Sequence, residues 1–193
     1  MSWAADSIGP EMATLWATSE PCEDWPWRFR AWQEFCLSPS ALRVTVGITN
    51  LDMEPFPFGL GWHPYLAWRP DYRVLHAARW WWPHDGEYLP TGSRVALNGA
   101  DPLQDSRTAY LADWTRVDID RGEAAALSIT ASTCMSHLVI HRAPQNQYVC
   151  VEPVTHLANA FNTAEREWDQ TGVRFLKPGE SASGWIEVRI TTH

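Results

Sequence analysis

The sequence predicts an all-β protein built as an antiparallel β-sandwich, and three observations carry that prediction. Short runs of strict apolar–polar alternation recur along the chain, turn residues separate them, and no stretch sustains a helical period. At 193 residues, one domain spanning 1–193 is the default, with chain enough to bury a sizeable core.

Residues 1–21 are weakly patterned apart from an alternating piece at 13–18. Residues 27–37 alternate, with Phe29, Ala31, Gln33 and Phe35 on one face. Ser38, Pro39 and Ser40 supply a turn, and residues 41–50 follow as the cleanest strand. There Leu42, Val44, Val46 and Ile48 face inward, so the two runs form a hairpin. Residues 50–57 are a loop leading to FGLGWHPYLAW, where Gly59 and Gly61 permit close backbone approach and Pro64 follows His63. Residues 72–82 read as one strand ending in three tryptophans, and residues 109–120, 123–133 and 135–142 as three more. Residues 148–152 form a strand that Pro153 is expected to end, since proline has no N–H for the ladder. Residues 158–170 are polar with room for a helical turn, and strands at 172–175 and 185–191 close the chain.

Composition excludes several function classes. The net charge is −8 and no basic cluster exists to neutralise phosphates, which argues against a nucleic-acid partner. No apolar run approaches the length of a membrane span, and the start lacks the basic-then-apolar pattern of a signal peptide, so neither a membrane nor an export route is expected. Four cysteines without CxxC spacing read as reduced, buried thiols of a cytoplasmic protein. Metal-binding patterns such as HExxH are absent, and His137 and His141, on one strand face, would stand about 13 Å apart. No metal and no cofactor is therefore expected. Tryptophan is the outlier at 13 residues, and three or four of these are expected to line a ligand cleft, because flat aromatic faces suit sugars.

Two residues stand on rigid corners. Glu152 closes a central strand before a chain break, and His63 sits in a Gly-Trp-His-Pro corner. A structural ion pair would also put an acid at such a place, but a carboxylate base with an imidazole acid can move protons on and off a sugar hydroxyl and ring oxygen.

The motifs GLGWHPYL (59–66), VCVEPVTHLANAFN (149–162) and TGVRFLKPGES (171–181) resemble the aldose 1-epimerase (galactose mutarotase) family. So do WPWRFRAWQEF (25–35), LRVTVGITN (42–50) and LPTG (89–92), in the family's order. The resemblance implies an antiparallel galactose mutarotase-like supersandwich and a cofactor-free interconversion of the α and β anomers of a free aldose. It implies Glu152 as the base and His63 as the acid, with Trp62, Tyr65, Asp113 and Arg30 as candidate sugar contacts. A non-catalytic carbohydrate-binding domain is the alternative. Two departures bear on sugar binding. The family's amino-terminal strands, with a sugar-holding histidine, are expected to be missing, leaving a sheet edge uncovered for self-association. Thr108 also stands where the family tends to have an aspartate. A sugar phosphate would call for converging arginines, with Arg28, Arg30 and Arg69 as candidates.

Overall fold

A computed structural model describes residues 2–122, 126–145 and 147–191. In chain order its first strands are β1 (Ala4–Ile8), β2 (Met12–Ser19), β3 (Phe29–Ser38), β4 (Ala41–Asn50), β5 (Phe56–Phe58) and β6 (Tyr65–Ala67). Then come β7 (Arg73–His76), β8 (Trp80–Trp82), β9 (Val95–Ala96), β10 (Thr108–Ala112) and β11 (Val117–Asp120). β12 (Ala126–Ala131), β13 (His137–Arg142), β14 (Tyr148–Val154), β15 (Arg174–Leu176) and β16 (Ser181–Thr191) complete the set. Eight of them form one sheet in the order β1-β2-β3-β4-β16-β12-β11-β7, and six form another in the order β6-β14-β13-β10-β8-β9. β5 and β15 pair as a separate ribbon. Every pairing is antiparallel, as the alternating sequence predicts.

The core lies between the two large sheets. Val44, Val46 and Ile48 of β4, Ile129 of β12 and Ile186 of β16 face it from the eight-stranded side. Leu138, Ile140, Val149, Val151, Ala109 and Leu111 meet them from β13, β14 and β10. Period-two alternation then turns the other residues of these three strands to the outer face of the six-stranded sheet. That outer face carries the candidate site.

The structure corrects several readings. Residues 72–82 are two strands in two sheets: β7 ends at His76 beside β11, while β8 begins at Trp80 beside β10. Likewise 109–120 splits into β10 and β11, the break falling at Asp113, whose φ of 56° cannot continue a strand. The strand expected at 123–133 is seen from Ala126, its first three residues lying outside the described ones. Pro153 does not end pairing, because β14 runs on to Val154 with Pro153 opposite Leu138. The Pro153 carbonyl accepts from the Trp62 N–H, so the missing N–H falls on the β6 side, where the ladder with β6 stops at Cys150 and an isolated bridge, Gly61 to Val154, follows. β1 went unread because all five of its residues are exposed and show no alternation. Residues 158–170 do hold helical turns, at Ala160–Asn162, Glu165–Glu167 and Trp168–Thr171. All four cysteines are free, but only Cys150 is buried, and Cys22 is exposed.

Candidate active site

Two neighbouring rungs of the six-stranded sheet lie under a cleft of about 630 Å³ and give it Tyr110, Val139, Glu152, Thr108 and His141. In one rung, Tyr110, Val139 and Glu152 stand opposite one another across β10, β13 and β14. In the next, Thr108, His141, Cys150 and Tyr65 do so across β10, β13, β14 and β6. Adjacent strands lie about 4.8 Å apart, so each rung sets side chains at contact distance. Tyr88, Pro144, His156 and Ala158 add walls from the connecting loops, and His63 enters from the corner before β6.

Nε2 of His63 stands 3.2 Å from Oε1 of Glu152. The His63 ring stacks on Tyr65, with centroids 4.9 Å apart and planes 21° from parallel, and Tyr65 in turn packs edge-on against Tyr148. Burial raises the pKa of Glu152 above the usual glutamate value, while the charge of a protonated His63 works the other way. Burial, with a lesser contribution from Glu152, pushes the Cys150 thiol up to about 11. The Tyr110 hydroxyl donates to the Tyr88 carbonyl at 2.8 Å, and burial first, then Glu152, raises its pKa.

Two further histidines line the cleft, and a third, His137, is buried opposite Val154. His141 Nδ1 lies 2.7 Å from the Thr108 hydroxyl, and burial, then His63, lowers its pKa. His156 stacks on Phe161 at 5.1 Å, and burial lowers its pKa too. A Cβ on Gly59 would come within 1.9 Å of the His156 ring, which explains a glycine there. His137 is buried beneath Trp82 and donates from Nε2 to the Gln170 carbonyl at 3.0 Å. Its burial lowers the pKa from 6.5 to about 4, so it stays neutral.

Of the residues named from the sequence, Glu152 and His63 meet in the cleft and Tyr65 supports His63. Trp62 is half-buried and packs against the core between the sheets. Asp113 lies outside the cleft lining and pairs with Arg79 at 3.1 Å. Arg30, on β3 of the other sheet, lies over the Trp16 ring at 5.5 Å. Tyrosines and histidines, and none of the tryptophans, line the cleft, because the tryptophans stack in the core, on the outer faces and beside neighbouring grooves. Arg28, Arg30 and Arg69 do not converge on it. His141, Tyr110, Tyr88 and His156 escaped sequence reading. Only the register across β10, β13 and β14 brings His141 and Tyr110 beside Glu152 and Cys150, and Tyr88 and His156 enter from loops that carry no alternation.

The two-sheet antiparallel sandwich has the galactose mutarotase-like fold. The chain belongs to the aldose 1-epimerase family, whose profile matches residues 3–189. It is 36% identical over 180 residues to the uncharacterized protein YphB of Escherichia coli K12, a match covering 85% of this chain and 61% of that protein. The chain thus spans about three-fifths of the length of that curated relative. Among solved structures, a galactose mutarotase-like protein from Clostridium acetobutylicum superposes with a TM-score of 0.84 at 20% identity, over 99% of this chain and 67% of that one. A galactose mutarotase-like protein from Lactobacillus casei gives 0.77 at 16%, over 97% and 72%.

Proposed function

We propose that the chain interconverts the α and β anomers of a free aldose, with Glu152 as general base and His63 as general acid. The observation that carries this reading is the 3.2 Å approach of His63 Nε2 to Glu152 Oε1 at an open cleft. The two oxygens that must exchange protons, the C1 hydroxyl and the ring oxygen, hang on one carbon, so the groups serving them have to stand side by side. Glu152 takes the hydroxyl proton while His63 gives one to the ring oxygen, and the bond from C1 to that oxygen breaks to leave the open-chain aldehyde. After rotation about C1–C2, His63 takes its proton back from the ring-oxygen hydroxyl as that oxygen attacks C1, and Glu152 returns its own to the carbonyl oxygen. Atoms and protons balance, and every proton is handled by the two side chains. Four free cysteines support the cytoplasmic setting expected from the sequence.

A second reading, a carbohydrate-binding domain without turnover, draws on Thr108. It bonds His141 inside the cleft, where the family resemblance expects an aspartate. Magnetisation-exchange NMR on equilibrated glucose and galactose separates the two. Faster exchange between the anomeric signals in the presence of the protein supports the epimerase. Line broadening without faster exchange supports the binder.

A further inference from the structure

We propose that His63, Cys150 and Glu152 together form a binding site for a thiophilic divalent cation, zinc above others, and that occupancy of this site blocks the cleft's acid–base pair. One ligating atom of each residue lies within 4.8 Å of those of the other two. Zinc holds imidazole nitrogen at about 2.0–2.1 Å, carboxylate oxygen at about 2.0–2.2 Å and thiolate sulfur at about 2.3 Å, which at tetrahedral angles separates the ligand atoms by about 3.3–3.6 Å. The His63–Glu152 pair is already at 3.2 Å. The sulfur has to close by about 1.2 Å at most, within the reach of a side-chain rotation.

The origin of the three ligands supports the assignment. Cys150 and Glu152 are two residues apart on β14 and share its cleft face, while His63 closes the triangle from its corner. Cys150 is free and buried, whereas His63 and Glu152 line the cleft, which leaves a fourth coordination position facing it. Three protein ligands and one open position form a zinc geometry, and the thiol selects against magnesium and calcium, which take oxygen. As the sulfur–metal bond forms, the thiol proton passes to solvent, so binding tightens as pH rises. The metal would hold the lone pairs that Glu152 and His63 need for proton transfer. Blocking therefore rests on the proposed function; cation binding does not.

Cobalt(II) reports the site directly, because a thiolate ligand gives a near-ultraviolet charge-transfer band. The chelator-treated full chain, kept reduced, is titrated with cobalt(II). The same titration is run on Cys150→Ala and on a triple variant, Cys22→Ser, Cys36→Ser and Cys134→Ser, which leaves Cys150 as the sole thiol. The band should appear in the wild type and the triple variant, vanish in Cys150→Ala and be bleached by zinc. Each chain's anomerisation is then measured with and without zinc against its own metal-free rate. Cys150→Ala should need about 100-fold more zinc for half-inhibition, at least the loss that follows from disturbing a ligand's supporting shell. No band in the wild type and the triple variant, or an unchanged band in Cys150→Ala, overturns the site. A band without zinc inhibition overturns the blocking. A chain with no anomerisation to inhibit overturns the proposed function and the blocking with it, while the cobalt titration still decides the site.

Discussion

Nε2 of His63 lies 3.2 Å from Oε1 of Glu152, the histidine side chain 52% exposed and the glutamate 14%. That asymmetry suits the two roles. Glu152 is desolvated, which raises its pKa and its strength as a base, and the exposed imidazole can exchange protons with a ligand or with water.

The pH dependence of anomerisation follows from this pair. Activity should fall on the acid side as Glu152 protonates, at a pH above that of an ordinary exposed glutamate, because burial raises its pKa. His63→Asn should lower the rate roughly 10²–10⁴-fold. A rate profile without an acid limb would remove Glu152 from the mechanism.

Buried His137 ties stability to pH. Unfolded, its imidazole binds a proton near 6.5; folded, only near 4. Between those values the unfolded chain holds more protons, so acidification favours unfolding. Stability that is fully present above pH 6.5 is lost as the pH falls toward 4, on the order of 3 kcal/mol at the limit. His141 and His156 act with the same sign, and Glu152 with the opposite one. Urea unfolding at pH 7 and pH 5 measures the slope, and His137→Gln should flatten it. An unchanged slope would assign the acid sensitivity elsewhere.

Gly59→Ala should destabilise the chain by about 1–3 kcal/mol, the usual cost of overpacking, because the added carbon meets the His156 ring at 1.9 Å. The change should displace His156 from Phe161 and shift its imidazole signals by NMR. Thermal unfolding checks the stability; a midpoint equal to wild type would show that the ring moves aside freely.

The edge of the large sheet should drive self-association. β1 pairs only with β2, all five of its residues are exposed, and Ile8 is 75% exposed with Met12 and Leu37 exposed nearby. Light scattering over a concentration series should show mass rising with concentration, and Ile8→Lys should return it to the monomer. A monomer at every concentration in the unsubstituted chain would contradict this.

Sequence reading was sharpest where one face of a strand is buried. β4 was read to the residue, because Val44, Val46 and Ile48 face the core while Arg43, Thr45 and Thr49 do not. It failed at β1, where nothing is buried, and at Ala77–Arg79, where the chain crosses between sheets without a proline or glycine to mark the step. The site divides in the same way. Glu152 and His63 were legible as rigid corners. Cys150 was legible on the same face of its strand as Glu152, but His141 and Tyr110 were not, since only the pairing of β10 with β13 and of β13 with β14 brings them there. The family motifs supplied roles that alternation alone could not.

Polarimetry of freshly dissolved α-glucose and α-galactose with wild type and Glu152→Gln tests the central claim most directly. The amide keeps the size of the side chain but cannot accept the C1 proton. The wild-type rate should stand well above the buffer blank, and the variant's should drop roughly 10²–10⁴-fold with an unchanged circular dichroism spectrum. Equal rates for the two proteins, both well above the blank, would contradict Glu152 as the base.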